Sequence, residues 1–281
     1  MAEQKLTKNQ RREEARLAAQ RLREQQERAA RRQRTLWIGL GTFLLIAVAV
    51  IAFVVVQKGQ QTPLADVKLK PVGSTESGGI PVGPEGVAGS TDGAAADAVT
   101  VAVYSDFMCP ICSMFEQINA DTLDEMRESG DIVVEYHPVS ILDRASNGTA
   151  YSTRSATAAV LVSAEAPEKF IAFSKALFES QPAENTDGLS DAQLADIARK
   201  AGVPDDVAAK IESGEYMGDK GDPKDPTSYR PWVLAATDQA SRDLGRLGTP
   251  TIRINGETLD PQKFNWQKDG ELKKAIEAAR G

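Results

Sequence analysis

The chain has 281 residues, 26% of them charged and 41% hydrophobic, with a formal net charge of −7. That composition fits one or two globular domains and excludes a collagen-like or wholly disordered chain. Two cysteines exclude a disulfide framework, and a short basic run without aromatics argues against nucleic-acid binding.

The charge is unevenly spread. Residues 1–35 carry eleven Lys/Arg and five Glu; the remainder carries 22 basic and 35 acidic side chains. Near that change of sign lies Leu36 to Val56, 21 residues with Thr42 as the one polar side chain. A bilayer needs about 20 apolar residues, so 36–56 is predicted to be a transmembrane helix. The basic flank predicts that 1–35 is cytoplasmic and that the chain beyond is extracytoplasmic. A cleaved signal peptide is the rival reading. It fits less well, because the one small-x-small triplet, Ala47-Val48-Ala49, lies inside the apolar run.

Residues 57–97 are poor in large apolar side chains and rich in Gly, Ser, Pro and Thr. They read as a flexible linker, with a short strand at Val67 to Val72. From Ala98 the chain reads as globular. Val99 to Tyr104 is nearly all apolar and β-favouring, as in a strand buried on both faces. Ile111, Met114, Phe115, Ile118 and Leu123 recur at helical spacing after Pro110, which suits a first helical turn. Ile132 to Val139 is a second strand, completing a β-α-β unit. Helices are predicted over 152–163, 167–180, 190–201, 204–213 and 229–247. Leu161, Phe170, Phe173, Leu177 and Phe178 are assigned to core packing there, in preference to a groove. Pro250 to Ile254, Asn255-Gly256 and Glu257 to Leu259 form a hairpin pattern, and a last helix ends near Ala279.

The chemistry concentrates at Asp106-Phe107-Met108-Cys109-Pro110-Ile111-Cys112, which holds both cysteines at a strand-to-helix junction. A bridge across so short a loop contributes little to folding, so the pair reads as a redox centre more than a staple. At a helix N-terminus, Cys109 faces unpaired amides that favour a thiolate, the nucleophile of disulfide exchange. Cys112, one turn in, is the resolving thiol. His137, the single histidine, is expected to be structural. Cys109, Cys112 and His137 are too few for zinc, so no metal is expected.

The stretch Tyr104 to Cys112 resembles the start of DsbA-like proteins of the thioredoxin superfamily, whose pattern is Asp-Phe-x-Cys-Pro-x-Cys after an apolar strand. Gly248-Thr249-Pro250-Thr251 resembles that family's cis-proline loop. Ile141 to Asn147 with Tyr151 to Arg154 resembles the membrane-anchored actinobacterial members. The resemblance covers about 98–281. It implies an α/β thioredoxin fold with a helical insert at about 141–247 and a redox pair Cys109–Cys112 around the dipeptide Pro110-Ile111. It further implies substrate docking at Thr249 and Pro250, no cofactor, and a protein thiol–disulfide oxidoreductase. Exported proteins with cysteines would be its substrates, and a quinone-linked membrane enzyme of the DsbB or vitamin-K-epoxide-reductase type would reoxidise it. The chain departs from the pattern at Val103, where many relatives carry an acidic residue, and at Ile111, where the most oxidising members carry histidine. A reductase or isomerase, or a binding module with an incidental cysteine pair, are the other readings.

Overall fold

The computed structural model describes residues 37, 40–51, 62–219, 221–222 and 224–280. The chain divides into two compact units, Met1–Gln61 and Thr62–Gly281. In the first, residues 37 and 40–51 are helical. The basic segment 1–35 and the rest of the predicted span 36–56 lie outside the described residues. Among those described, no helix is long and apolar enough to cross a membrane.

The second unit is built on a mixed five-stranded sheet in the order β1-β3-β2-β4-β5. Its strands are β1 (Ile80–Val82), β2 (Val99–Ser105), β3 (Ile132–Pro138), β4 (Thr251–Ile254) and β5 (Glu257–Thr258). Helix α1 (Pro110–Glu128) links β2 to β3, which run parallel from Val99↔Ile132 to Ser105↔Pro138. β4 is antiparallel to β2, with Val103 opposite Ile252, and the Asn255-Gly256 turn leads into β5. Between β3 and β4 lie α2 (Tyr151–Glu165), α3 (Phe170–Glu179), α4 (Asp191–Lys200), α5 (Asp205–Glu212) and α6 (Arg230–Asp243). Helix α7 (Glu271–Arg280) closes the chain.

Side chains alternate across a strand, and β2 uses both faces. Val99, Val101 and Val103 pack with Phe115 and Leu123 of α1 and with Leu272 and Ile276 of α7. Ala102 and Tyr104 point the other way, toward Val139 and Ala240. Both faces being covered explains why the run is nearly all apolar. The block between β3 and β4 has its own interior, in which Leu161, Phe170, Phe173, Leu177, Phe178 and Trp232 are buried. His137 is buried, stacks on Tyr104 at 3.9 Å between ring centroids, and places Nε2 2.9 Å from Glu135 Oε1.

The expected linker 57–97 is corrected over most of its length. From Thr62 onward the chain packs onto the domain. Leu64, Ile80, Val82 and Ala88 are buried, and β1 pairs antiparallel with β3. No strand forms at 67–72. The hold is polar as well as apolar: Thr75 Oγ1 and Ser77 Oγ donate to Glu135 Oε1 at 2.8 and 3.0 Å. The buried Arg127 of α1 donates through Nη1 to the carbonyl oxygens of Gly83 and Pro84, each at 3.0 Å. The glycines that suggest flexibility instead permit close backbone approach. A Cβ on Gly73, whose φ is +73°, would stand 2.0 Å from the Gly89 carbonyl oxygen.

Candidate redox site

Cys109 is the N-cap of α1, with extended backbone at φ −81° and ψ 114°, and Pro110 follows in the first turn. No side chain caps the helix. Its first amides therefore remain available to an anion beside them. The Cys109 carbonyl starts the helix ladder, accepting from Cys112 N at 3.0 Å and from Ser113 N at 3.3 Å.

Both cysteines are free thiols, Cys109 6% and Cys112 1% exposed. A hydrogen bond from the Cys112 thiol is the largest influence on Cys109. With the Thr249 side chain and the Cys112 and Ile111 amides, it outweighs desolvation and lowers Cys109 from the ordinary 9.0 to about 6. Burial, then the neighbouring Cys109 thiolate, pushes Cys112 well above the usual thiol value. One sulfur is thus an anion near neutral pH and the other a proton-bearing donor to it. That division suits a nucleophile and a resolving thiol. Ile111 and Met114 are exposed beside the pair at 44% and 41%.

The Thr249–Pro250 peptide is cis. The residues just before β4 reach the pair: in its thiol form, Cys109 donates from Sγ to the Thr249 carbonyl oxygen at 3.5 Å. Thr249 and Cys109, 140 residues apart in sequence, are therefore in contact, and Pro110 and Ile111 lie between the two sulfurs' residues.

Three further residues shape the site. Asp106 is fully buried and accepts from Met108 N at 2.9 Å, Ile141 N at 2.8 Å and Leu142 N at 3.0 Å. It ties the cysteine loop to the chain leaving β3. Burial raises its pKa despite those donors. Asp106→Ala leaves three amides without an acceptor. It is expected to destabilise the reduced protein by about 3–5 kcal/mol, read from the urea midpoint, with Asp106→Asn less severe because its carbonyl oxygen still accepts. Glu116 of α1 lines a cavity of about 20 Å³ with Val103, Tyr136, His137 and Ser174, room for one water. Burial raises Glu116 to about 7, although part of its surface reaches an outer groove beside Gln117 and Lys175. The third residue is Gln181, just beyond α3, which reaches the backbone of the cysteine loop. None of the three is marked by spacing or composition as a site residue. Asp106 stands in the Asp-Phe pattern, but its partners at 141–142 are set by the fold.

Comparison with known proteins places this geometry. A family profile described as thioredoxin matches residues 87–278. The chain belongs to the thioredoxin family. Among solved members and neighbours, the reduced disulfide-bond oxidoreductase DsbG of Mycobacterium tuberculosis is 30% identical, with 72% of this chain and 88% of that one covered at a TM-score of 0.55. Oxidised DsbA of the same organism is 28% identical, with 72% and 93% covered at a TM-score of 0.53. MdbA of Actinomyces oris, a thiol–disulfide oxidoreductase 22% identical over 79% of this chain and 94% of that one, shares the fold at a TM-score of 0.58. The serine/threonine-protein kinase PknE of Mycobacterium tuberculosis is 32% identical over 123 residues, 42% of this chain. The match spans 22% of that kinase's length. With a paired-thiol site on this fold and oxidoreductases of the DsbA type among its neighbours, this thioredoxin-family protein is a protein thiol–disulfide oxidoreductase.

Proposed function

We infer that the protein is a membrane-tethered, extracytoplasmic oxidase that introduces disulfides into exported proteins. The observation that supports this reading is the pair of free thiols at the uncapped N-terminus of α1, beside the Thr249 carbonyl, with Cys109 lowered to about 6 and Cys112 raised by burial. A stabilised thiolate favours the reduced form of the pair, and so makes its disulfide the stronger oxidant. The substrate thiolate attacks Cys109 Sγ of the Cys109–Cys112 disulfide and expels the Cys112 thiolate. A second substrate thiolate then attacks the substrate sulfur of the mixed disulfide and expels the Cys109 thiolate. Two electrons pass to the protein, and the substrate keeps the new bond.

Thr249 and Pro250 dock the substrate in this reading. The Thr249 backbone lies beside the sulfur, and main-chain pairing there accepts many sequences. The tether rests on the run Leu36 to Val56 and on apolar side chains of the first unit that stand open, among them Phe43 and Leu45. Residues 1–35 stay cytoplasmic by their basic charge. DsbA-type neighbours and the membrane segment together point to a quinone-linked reoxidising partner of the DsbB or vitamin-K-epoxide-reductase type.

The test is the potential of the pair, measured by equilibration with glutathione. A value near about −120 mV supports the oxidase, and one near about −270 mV overturns it in favour of a reductase or isomerase. A cysteine pair with no exchange at all would leave a binding module.

A further inference from the structure

Gln181 lies 72 residues from Cys109 in sequence, at the exit of α3, and its side-chain nitrogen donates to two carbonyls of the cysteine loop. Nε2 lies 3.0 Å from the Phe107 oxygen and 3.0 Å from the Cys109 oxygen. Both partners accept only, so the amide orientation is fixed: its two hydrogens serve one carbonyl each. The Cys109 oxygen thereby receives a third donor beside Cys112 N and Ser113 N. Two other contacts hold the same junction. Phe178 packs its ring 4.8 Å from that of Phe107, and its carbonyl accepts from Ser113 Oγ at 3.3 Å.

We propose that Gln181 is a positioning residue of the redox site, through which the block between β3 and β4 sets the reactivity of Cys109. The Cys109 carbonyl carbon and its Cβ share one Cα. Holding the carbonyl therefore fixes where the first amides of α1 stand relative to Sγ. Those amides, of Ile111 and Cys112, are among the groups that favour the thiolate. The other groups facing the sulfur are the Cys112 thiol and Thr249, neither of which touches Gln181 in any hydrogen bond described. Freed from Gln181, the loop from Phe107 to Cys109 samples rotations of the Cys109 peptide, and the amides spend less time aimed at sulfur. This rests on the reading of Cys109 as the exchanging thiol.

The test uses Gln181→Met, of similar length but without donors, and Gln181→Asn, with the same group one methylene short. In the reduced full-length protein, thiolate absorbance gives the titration midpoint, and iodoacetamide at pH 6 gives the rate of Cys109 alkylation. Both variants are expected to raise the midpoint and to slow alkylation about three- to tenfold. Gln181→Ala is the substitute should Gln181→Met not fold. A wild-type midpoint and rate in the folded variants overturns the proposal, whether or not the melting temperature falls. Failure of the underlying reading looks different: a low-midpoint thiolate signal that survives in Cys109→Ser would show that another group titrates.

Discussion

Cys112→Ser is expected to accumulate as mixed disulfides with substrates, and Cys109→Ser to form none. Cys109 is the thiolate, beside the exposed Ile111 and Met114 and in contact with Thr249. Cys112 is 1% exposed and holds its proton tightly. A substrate disulfide attacked by Cys109 forms a mixed disulfide that the wild type resolves through Cys112, one helical turn away. Serine cannot expel the partner, so the intermediate persists. Removing the nucleophile lowers turnover of a reduced, unfolded substrate by about a thousandfold or more. Non-reducing gels and mass spectrometry of the crosslinked peptide read the result. Crosslinks through Cys112 in the Cys109→Ser protein would reverse the assignment of roles.

Stability of the reduced protein is expected to rise with pH between about 6 and 9 through Cys109 alone. Its pKa is lower folded than in an ordinary thiol, about 6 against 9.0. Such a group contributes fully above pH 9 and its contribution vanishes as pH falls through 6. At about 1.4 kcal/mol for each tenfold in proton affinity, the upper bound is about 4 kcal/mol. Solvent at the mouth of the site screens part of that, leaving about 2–3 kcal/mol at alkaline pH and about 1 kcal/mol at pH 7. Urea unfolding of reduced wild type and Cys109→Ser at pH 5, 7 and 9 isolates the term. The gap should open as pH rises, whereas a constant gap would mean that Cys109 keeps an ordinary proton affinity. The oxidised protein has no thiol to titrate and lacks this dependence.

Much of this was legible in the chain. The alternation of Val99, Val101 and Val103 against Ala102 and Tyr104 encodes a strand covered on both faces, and Pro110 marks where α1 begins. The apolar spacing from Phe170 to Phe178 encodes a helix with a buried face. The cysteine pair is visible from spacing alone. The segment 62–97 misleads because glycine has two physical uses. Gly73 and Gly89 permit left-handed turns and a backbone contact that any Cβ would block, yet composition alone cannot distinguish that from looseness. Asp106 and Gln181 were hidden for a different reason. Their partners are backbone groups, which carry no residue identity, so no pattern of side chains announces a carboxylate serving the amides at 141–142 or an amide serving the carbonyls at 107 and 109.

The place of β1 has a consequence for a thiol–disulfide oxidoreductase. A sheet with a free margin is a template for any extended polypeptide, including a client arriving with its backbone unpaired. Here β1, residues 80–82, covers the edge of β3 and is itself a margin only three residues long, fastened by Arg127 and by Thr75 and Ser77 on Glu135. The opposite margin is β5, only two residues long. Both borders are thus poor invitations to sticky partners. Neither border therefore offers a long unpaired strand to an extended polypeptide.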